Sequence, residues 1–544
     1  MARSRRLWIK YPVRFGELGE QAAVETERRP RGRGHSRSTQ LSNATTSSFP
    51  SFRDVVEEAR ASFRALPIST LEKLGILQSI ENYYLIGTYP PLKAMGSVEP
   101  MEFLPKATEM CSVYLHIPFC EQRCSFCHFA KEILPPEQRV ERYMRALHRE
   151  LESTGELAGH PTAQTVYFGG GTPSYLSPRQ ISEVFAKLRE SVRITGETET
   201  TFELHPSVID AADYGDRLDA IAESGVNRWV FGVQSMEDRI LDKLNRGHSA
   251  ADVYKLLSML ADRGIDNLSV DLIYGLPYQN PENWYASIRT LVESGVEKFN
   301  IFPLMFKQAD PISMHYRKSP DIFPGNEERL MMHFMTESIM KSIGFRRGPL
   351  FYYAKAEQHS RQQENKYDSI EDINLLPFGV SGFGYVGHTQ FYNEATLDRY
   401  MAAVDSGRPP VWRGSALDFE ERMRRAVMFP LRSGGVNRAA YRERYGADPV
   451  ERFATELAPF IDNGLLAVDA ESLQVTDVGA PFADSIAISL ASPAVVSRVH
   501  ASNALITDLK NDPVDRYDFS PIARESFGAG VSPVGRLRAT EEAG

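Results

Sequence analysis

Residues 114–129 read YLHIPFCEQRCSFCHF and hold three of the chain's 4 cysteines behind a short apolar run. Cys120, Cys124 and Cys127 form C-x3-C-x2-C, beginning just after a strand-like segment that ends at His116-Ile117-Pro118. With 4 cysteines in 544 residues, a disulfide framework is not the reading; thiols crowded into one loop point to metal ligation in a reducing compartment. A structural zinc ion normally takes four ligands, and His116 and His128 are the nearby candidates to complete it. An iron–sulfur cluster of four irons held by three thiolates instead leaves one iron open to another ligand. Spacing alone leaves both readings open. Cys111 precedes the strand and reads as a small buried apolar residue.

Outward from this loop, strand-like runs alternate with helical patterns. The strands are SVYLH (112–116), TVYF (165–168), TFEL (201–204), RWVFGV (228–233), LSVDLI (268–273) and KFNIF (298–302). Val140, Tyr143, Met144, Leu147 and Leu151 recur at helical spacing. Ser177-Pro178 opens a second helix as N-cap and first residue, and a third runs through Val253, Leu256, Leu257 and Leu260 to stop at Gly264. Repeated strand–helix units predict an α/β fold with parallel strands and right-handed crossovers, a partial (β/α)6 barrel. Sites in such barrels lie at the carboxyl ends of the strands, where the cysteines and other unusual residues fall.

The chain is expected to divide into a disordered segment at 1–52, an N-terminal extension at 53–108, a core barrel at 109–315, a mostly helical capping domain at 316–497 and a disordered tail at 498–544. A net charge of −9 and a pI near 5.8 argue against nucleic acid or an anionic membrane as a partner. No apolar run of about 18 residues exists, and the Arg-rich opening lacks a continuous apolar stretch, so a cytoplasmic location is expected.

Taken together, YLHIPFCEQRCSFC (114–127), VYFGGGTPSYL (166–176), TFELHPS (201–207), GVNRWVFGVQS (225–235), NRGHS (245–249), VDLIYGLP (270–277) and GVSGFG (379–384) resemble the radical S-adenosylmethionine (SAM) enzymes. More closely, they resemble the oxygen-independent coproporphyrinogen III oxidase family, which includes haem chaperones and class C radical SAM methyltransferases. The resemblance implies a [4Fe-4S] cluster on Cys120, Cys124 and Cys127 whose open iron chelates SAM. It further implies SAM contacts from Tyr114, Gly170, Gly171, Thr172, Glu203, Gln234, Arg246 and Asp271, a shield over the cluster from Phe126, and a second SAM touching Met305 and Phe383. An electron donor such as flavodoxin or ferredoxin and a small-molecule substrate complete the expected partners.

Physical readings stand beside these. Glycines 169–171 follow a strand and let backbone approach a ligand. Asp271 interrupts an apolar strand and needs a partner if buried. His128 and His205 flank site motifs and are candidate proton carriers. Residues 419–432 (FEERMRRAVMFPLR) read as an amphipathic helix, followed by helical material and a hairpin from Leu465 to Val475, similar to the family's winged-helix-like C-terminal domain.

Three activities follow from the resemblance. The oxidase reading expects a further cysteine just past Cys127, where His128 stands. The chaperone reading expects a His-Asn and a Tyr-Trp pair, where this chain has QENKYD (363–368). By elimination, the sequence favours a class C methyltransferase or cyclopropane-forming enzyme that uses two SAM molecules, with the oxidase and then the chaperone as alternatives.

Overall fold

The six apolar runs form the strands β1 (Met110–Ile117), β2 (Thr162–Gly170), β3 (Glu199–Leu204), β4 (Arg228–Gln234), β5 (Leu268–Tyr274) and β6 (Lys298–Pro303). This computed structural model describes residues 49–77, 86–106, 110–305, 310–349, 351–355, 360–367 and 372–505. The terminal segments expected at 1–52 and 498–544 lie mostly outside those residues.

The six strands pair in parallel and in sequence order, and the helices between them account for the parallel sense. Those helices are α1 (Glu137–Leu157), α2 (Pro178–Ser191), α3 (Tyr214–Glu223), α4 (Ala250–Ala261) and α5 (Pro281–Glu293). Helix α1 buries Val140, Tyr143, Met144, Leu147 and Leu151 along one stripe. Ser177 caps α2 in a reciprocal capping box with Gln180, with Pro178 at the first position. Cys111 is fully buried in β1, as the sequence indicated, and burial pushes its thiol up to about 12.

The sheet does not stop at six strands. After α6 (Pro311–Lys318) and α7 (Asn326–Ser342), strands β7 (Phe345–Arg347) and β8 (Tyr352–Lys355) add antiparallel beyond β6. On the other side β9 (Asn374–Phe378) pairs parallel with β1, and β10 (Phe383–Val386), β11 (Thr389–Asn393) and β12 (Val411–Ala416) extend it as an antiparallel meander. The result is one 12-stranded sheet that runs across the boundary expected at 315. A helical region follows, from α8 (Phe419–Met428) through a three-stranded antiparallel sheet whose strands include Leu466–Val468 and Ser472–Val475, the hairpin read from the sequence.

Glu150 fastens the added strands to the barrel. Its side chain is buried on α1 and accepts hydrogen bonds from the backbone N–H of Gly379 (2.7 Å), the amide of Asn393 (2.9 Å) and the hydroxyl of Tyr400 (2.6 Å). Removing it would leave three buried donors unpaired, at about 1–3 kcal/mol each. Glu150→Ala is expected to destabilise the chain by at least about 3 kcal/mol, read from the urea midpoint at unchanged slope.

Candidate functional site

The carboxyl ends of β1 to β6 open into a cavity of about 1260 Å³ counting its mouth. Cys120, Cys124 and Cys127 form part of its wall, in the loop that follows β1. That loop is fixed by backbone. The N–H groups of Gly171 and Thr172 donate to the carbonyls of Ile117 and Phe119, both at 2.8 Å. Ser125 donates to the Leu244 carbonyl (2.9 Å) and accepts from Ile312 (3.0 Å). The Lys131 ammonium crosses the far side of the loop to the carbonyls of Cys127 (2.7 Å) and Phe129 (3.1 Å).

The glycine triplet is required by the protein's own packing. A Cβ at Gly169 would stand 3.0 Å from the Glu203 carboxyl, and one at Gly171 would stand 2.8 Å from the Ile117 carbonyl oxygen. Gly170 has φ +109, and a Cβ there would stand 2.5 Å from the His116 ring. Sequence reasoning had assigned this bareness to a ligand. The chain's own side chains require it too, and Gly170 and Gly171 also line the cavity.

The three thiols suit a cluster. Thr172 Oγ1 lies 3.5 Å from Cys120 Sγ, and the buried Arg246 guanidinium lies 3.2 Å from Cys124 Sγ. Donors aimed at sulfur suit thiolates; burial pushes the Cys120 thiol up to about 12, opposed by the Thr172 hydroxyl. Among the described residues, no three His, Cys, Asp or Glu side chains gather closely enough to hold one ion. A zinc ion needs such convergence; a cubane takes each thiolate on a separate iron. His116, one candidate to complete a zinc site, is committed elsewhere. Its Nε2 donates to the Ala130 carbonyl at 2.8 Å, its Nδ1 lies 3.1 Å from the Tyr114 hydroxyl, and burial lowers it to about 4, so it is neutral.

Opposite the cysteines stand two carboxylates from the barrel. Desolvation raises Glu203 to about 7, opposed by the Tyr167 hydroxyl that donates to it at 2.6 Å. Desolvation likewise raises Asp271 to about 6, opposed by the Asn300 amide at 2.7 Å. Gln234 follows a bulge in the β4–β5 pairing and adopts φ 68, in the left-handed region that non-glycine residues seldom enter. Its Oε1 is buried on the cavity wall and has no hydrogen-bond partner among the described residues. Gly232 makes room beside it, since a Cβ there would meet the Gln234 amide at 2.6 Å. An orphaned acceptor, two carboxylates and a wall of thiols fit a cationic ligand with hydroxyl and ammonium donors on a cluster.

Of the residues singled out in the sequence, Cys120, Cys124, Phe126, Cys127, His128, Gly170, Gly171, Thr172, Glu203, His205, Gln234, Arg246, Asp271 and Met305 line this one cavity. Tyr114 and Phe383 do not; their rings stack on each other at 6.1 Å behind its lining. Met305, assigned with Phe383 to a second SAM, lines the cavity, and Phe383 packs on Tyr114. His205 Nδ1 accepts from the Ser207 N–H at 3.1 Å, and burial holds the ring well below its usual range, so it is a neutral cap whose proton sits on Nε2. His128 Nδ1 lies 4.0 Å from Asp310 Oδ2. Sequence reasoning missed Tyr167, Asn300 and the buried Arg228, whose guanidinium lies 5.3 Å from the Tyr352 ring, and it read His116 only as a candidate metal ligand. Tyr167 and Asn300 occupy β2 and β6, beside strands already assigned to the site, which was the available signal.

Comparison with known proteins agrees with the geometry. The radical SAM superfamily matches residues 114–291, and the HemN C-terminal domain matches residues 417–482. The chain is similar to the haem chaperone HemW of Bacillus subtilis, 27% identical over 68% of this chain and 96% of that protein. It is also similar to the oxygen-independent coproporphyrinogen III oxidase of Escherichia coli, 28% identical over 68% of this chain and 82% of the other. The solved structure of E. coli coproporphyrinogen III oxidase, HemN, superposes with a TM-score of 0.62 at 24% identity, covering 76% of this chain and 95% of that one. The fold is thus the TIM-like radical SAM α/β fold with a helical C-terminal domain. These relatives match the oxidase and chaperone alternatives, and the methyltransferase preference drawn from the sequence finds no support among them. Among the described residues no single helix is long and apolar enough to cross a membrane.

After anaerobic reconstitution the chain is expected to hold about four irons and four sulfides. Replacing Cys120, Cys124 and Cys127 together with Ala should remove both the iron and the visible absorption; stoichiometric zinc in the unaltered chain would contradict the assignment.

Proposed function

We propose that this cavity binds SAM against a cluster held by Cys120, Cys124 and Cys127 and takes hydrogen from a small-molecule substrate admitted beside it. The observation that carries the reading is the meeting, in one cavity, of three thiols with Glu203, Asp271 and the orphaned Gln234 oxygen. When bound, the cluster supplies the electron that cleaves SAM to a 5′-deoxyadenosyl radical. The chain's residues do the rest. Glu203 and Asp271 attract the cationic and hydroxyl groups of SAM, Gln234 Oε1 accepts from one of its donors, and Arg246 offsets the charge of Cys124. Phe126, packed into the apolar cluster of Ile240, Leu244 and Ile273, keeps water from the thiolates.

Both carboxyls are raised in the absence of ligand, and the cation is attracted by their ionised forms. SAM affinity should therefore be full above pH 7 and fall as pH drops through about 7 and then about 6. Asp271→Asn should weaken binding by about 1.5–3 kcal/mol at pH 8 and flatten the lower step. Calorimetric titration at several pH values checks both.

For the reaction, the relatives favour oxidation of a coproporphyrinogen-type tetrapyrrole, with carbon dioxide lost from propionate side chains. A second reading, methylation or cyclopropane formation with two SAM molecules, is favoured by one observation. Past Cys127 the oxidase expectation was a cysteine, and the structure has His128 beside Asp310, a base on the cavity wall. The chaperone reading has less support here. Residues 361–367 form a helix without histidine, whose Asn365 is tied to Ser112 (3.1 Å) and Gln164 (2.7 Å).

Reduced enzyme supplied with methyl-deuterated SAM and coproporphyrinogen separates the readings. The oxidase yields carbon dioxide, vinyl products and unlabelled 5′-deoxyadenosine. Methyl transfer yields S-adenosylhomocysteine, with deuterium in the 5′-deoxyadenosine, once an unsaturated acceptor replaces the porphyrinogen. Haem bound without turnover would indicate the chaperone.

A further inference from the structure

A second cavity, of about 760 Å³ counting its mouth, opens where the helical C-terminal region meets the barrel. Its wall takes His333 from α7, Arg347 from the end of β7, and Arg432, Asp477 and Asp484 from the region that follows α8. It shares no lining residue with the cysteine cavity. The two back onto each other across one pair of rings, Phe351 on this wall and Phe302 on the other, in edge contact at 6.0 Å. Part of the polar wall is committed to the chain itself. Asp484 accepts from the Ile86 N–H at 3.0 Å and stands 2.5 Å from Arg432 Nε. Arg347 gives one N–H to Glu337 at 3.2 Å, and Glu337 also accepts from the Tyr353 hydroxyl at 2.7 Å. The other Arg347 N–H groups have no acceptor among the described residues. His333 is 3% exposed; its Nδ1 lies 3.4 Å from the Tyr274 hydroxyl, and its Nε2 has no hydrogen-bond partner among the described residues.

Burial lowers His333 to about 4, with Glu337 opposing and Arg347 assisting, so the ring is neutral and carries one proton. With the Tyr274 hydroxyl donating to Nδ1, that proton sits on Nε2, a donor without an acceptor. A buried donor left unpaired costs about 1–3 kcal/mol, which an acceptor placed in the cavity offsets. Asp477 is the acidic group on the wall with no ion pair among the described residues, and it is exposed. The spare donors of an imidazole and a guanidinium on one wall match the lone pairs of an oxyanion. We propose that this cavity is a second ligand site, which takes a small oxyanion, a carboxylate or a phosphate, between His333 and Arg347. The site makes no use of the cluster, so it stands apart from the function proposed above. Through the His333 ring an occupant reaches Tyr274 on β5, the strand that carries Asp271.

Inorganic phosphate and succinate are the probes. Each is titrated calorimetrically into the reconstituted full-length protein near neutral pH, with sodium chloride holding the ionic strength constant. Saturable binding is expected, and the tighter of the two probes tells whether the site prefers a phosphate or a carboxylate. Arg347→Met should weaken that binding about tenfold or more, the loss of one charge-assisted contact. Asp477→Asn removes the exposed carboxylate from the wall and should tighten it about threefold, a gain that a merely damaged fold would not give. Ala483→Leu, also on the wall, fills the cavity without changing a charge and should weaken binding as Arg347→Met does. None of the three positions lines the cysteine cavity, so the iron content of each variant should match that of the unaltered protein. Water alone in the cavity, seen as no saturable heat from either probe, overturns the proposal. So does unchanged affinity in any of the three variants.

Discussion

The site depends on two loops laced by backbone. The cysteine loop and the glycine loop hydrogen-bond to each other through Ile117 and Phe119, and the fit is close enough that a methyl group at Gly170 or Gly171 would overlap His116 or the backbone. Backbone hydrogen bonds fix position without depending on rotamers, so the three thiols inherit the rigidity of β1 and β2. His116 completes the joint. As a neutral imidazole it links the Tyr114 hydroxyl on its own strand to the Ala130 carbonyl beyond the last cysteine. A charged ring there would lose the acceptor that Tyr114 needs.

Electrostatics then divides the cavity into two faces. Arg246 and Thr172 stand by the sulfurs, and Glu203 and Asp271 stand on the barrel strands opposite. Desolvation opposes ionisation of both carboxyls; the neutral donor that touches each, Tyr167 or Asn300, favours it, as do the charges of Arg228 on both and Arg246 on Asp271. A neutral donor orients a carboxylate while leaving its charge available to a cation. That arrangement suits a site that must stay attractive to a positively charged ligand and yet remain assembled without it.

Much of this was legible in the sequence. The six barrel strands are short apolar runs between turn signals, and Ser177-Pro178 announced its helix through the capping chemistry itself. The cysteine spacing pointed to metal ligation, and only the motifs taken together pointed to a cluster. The meander of β10 to β12 was not legible. Its segments, such as Phe383–Val386 and Thr389–Asn393, are short and mixed in polarity, and they join the sheet through β9, which pairs with β1, and through Glu150, far away in the chain. Nor could one dimension show that the glycine triplet accommodates His116 and Glu203, or that Phe383 stacks on Tyr114. These are facts of spatial neighbourhood.

The bulge before Gln234 changes the parity of its strand. Gly232 pairs with Asp271, yet Gln234 pairs with Leu272, so two steps along β4 correspond to one along β5. Side chains alternate faces residue by residue, and the extra residue exchanges inside for outside from that point onward. Gly232, which pairs with Asp271, and Gln234 both line the cavity, so the bulge keeps the amide on the inner side past the point where the pairing shifts. A deletion of Val233 would restore regular alternation and, by the same step, turn the amide out of the cavity.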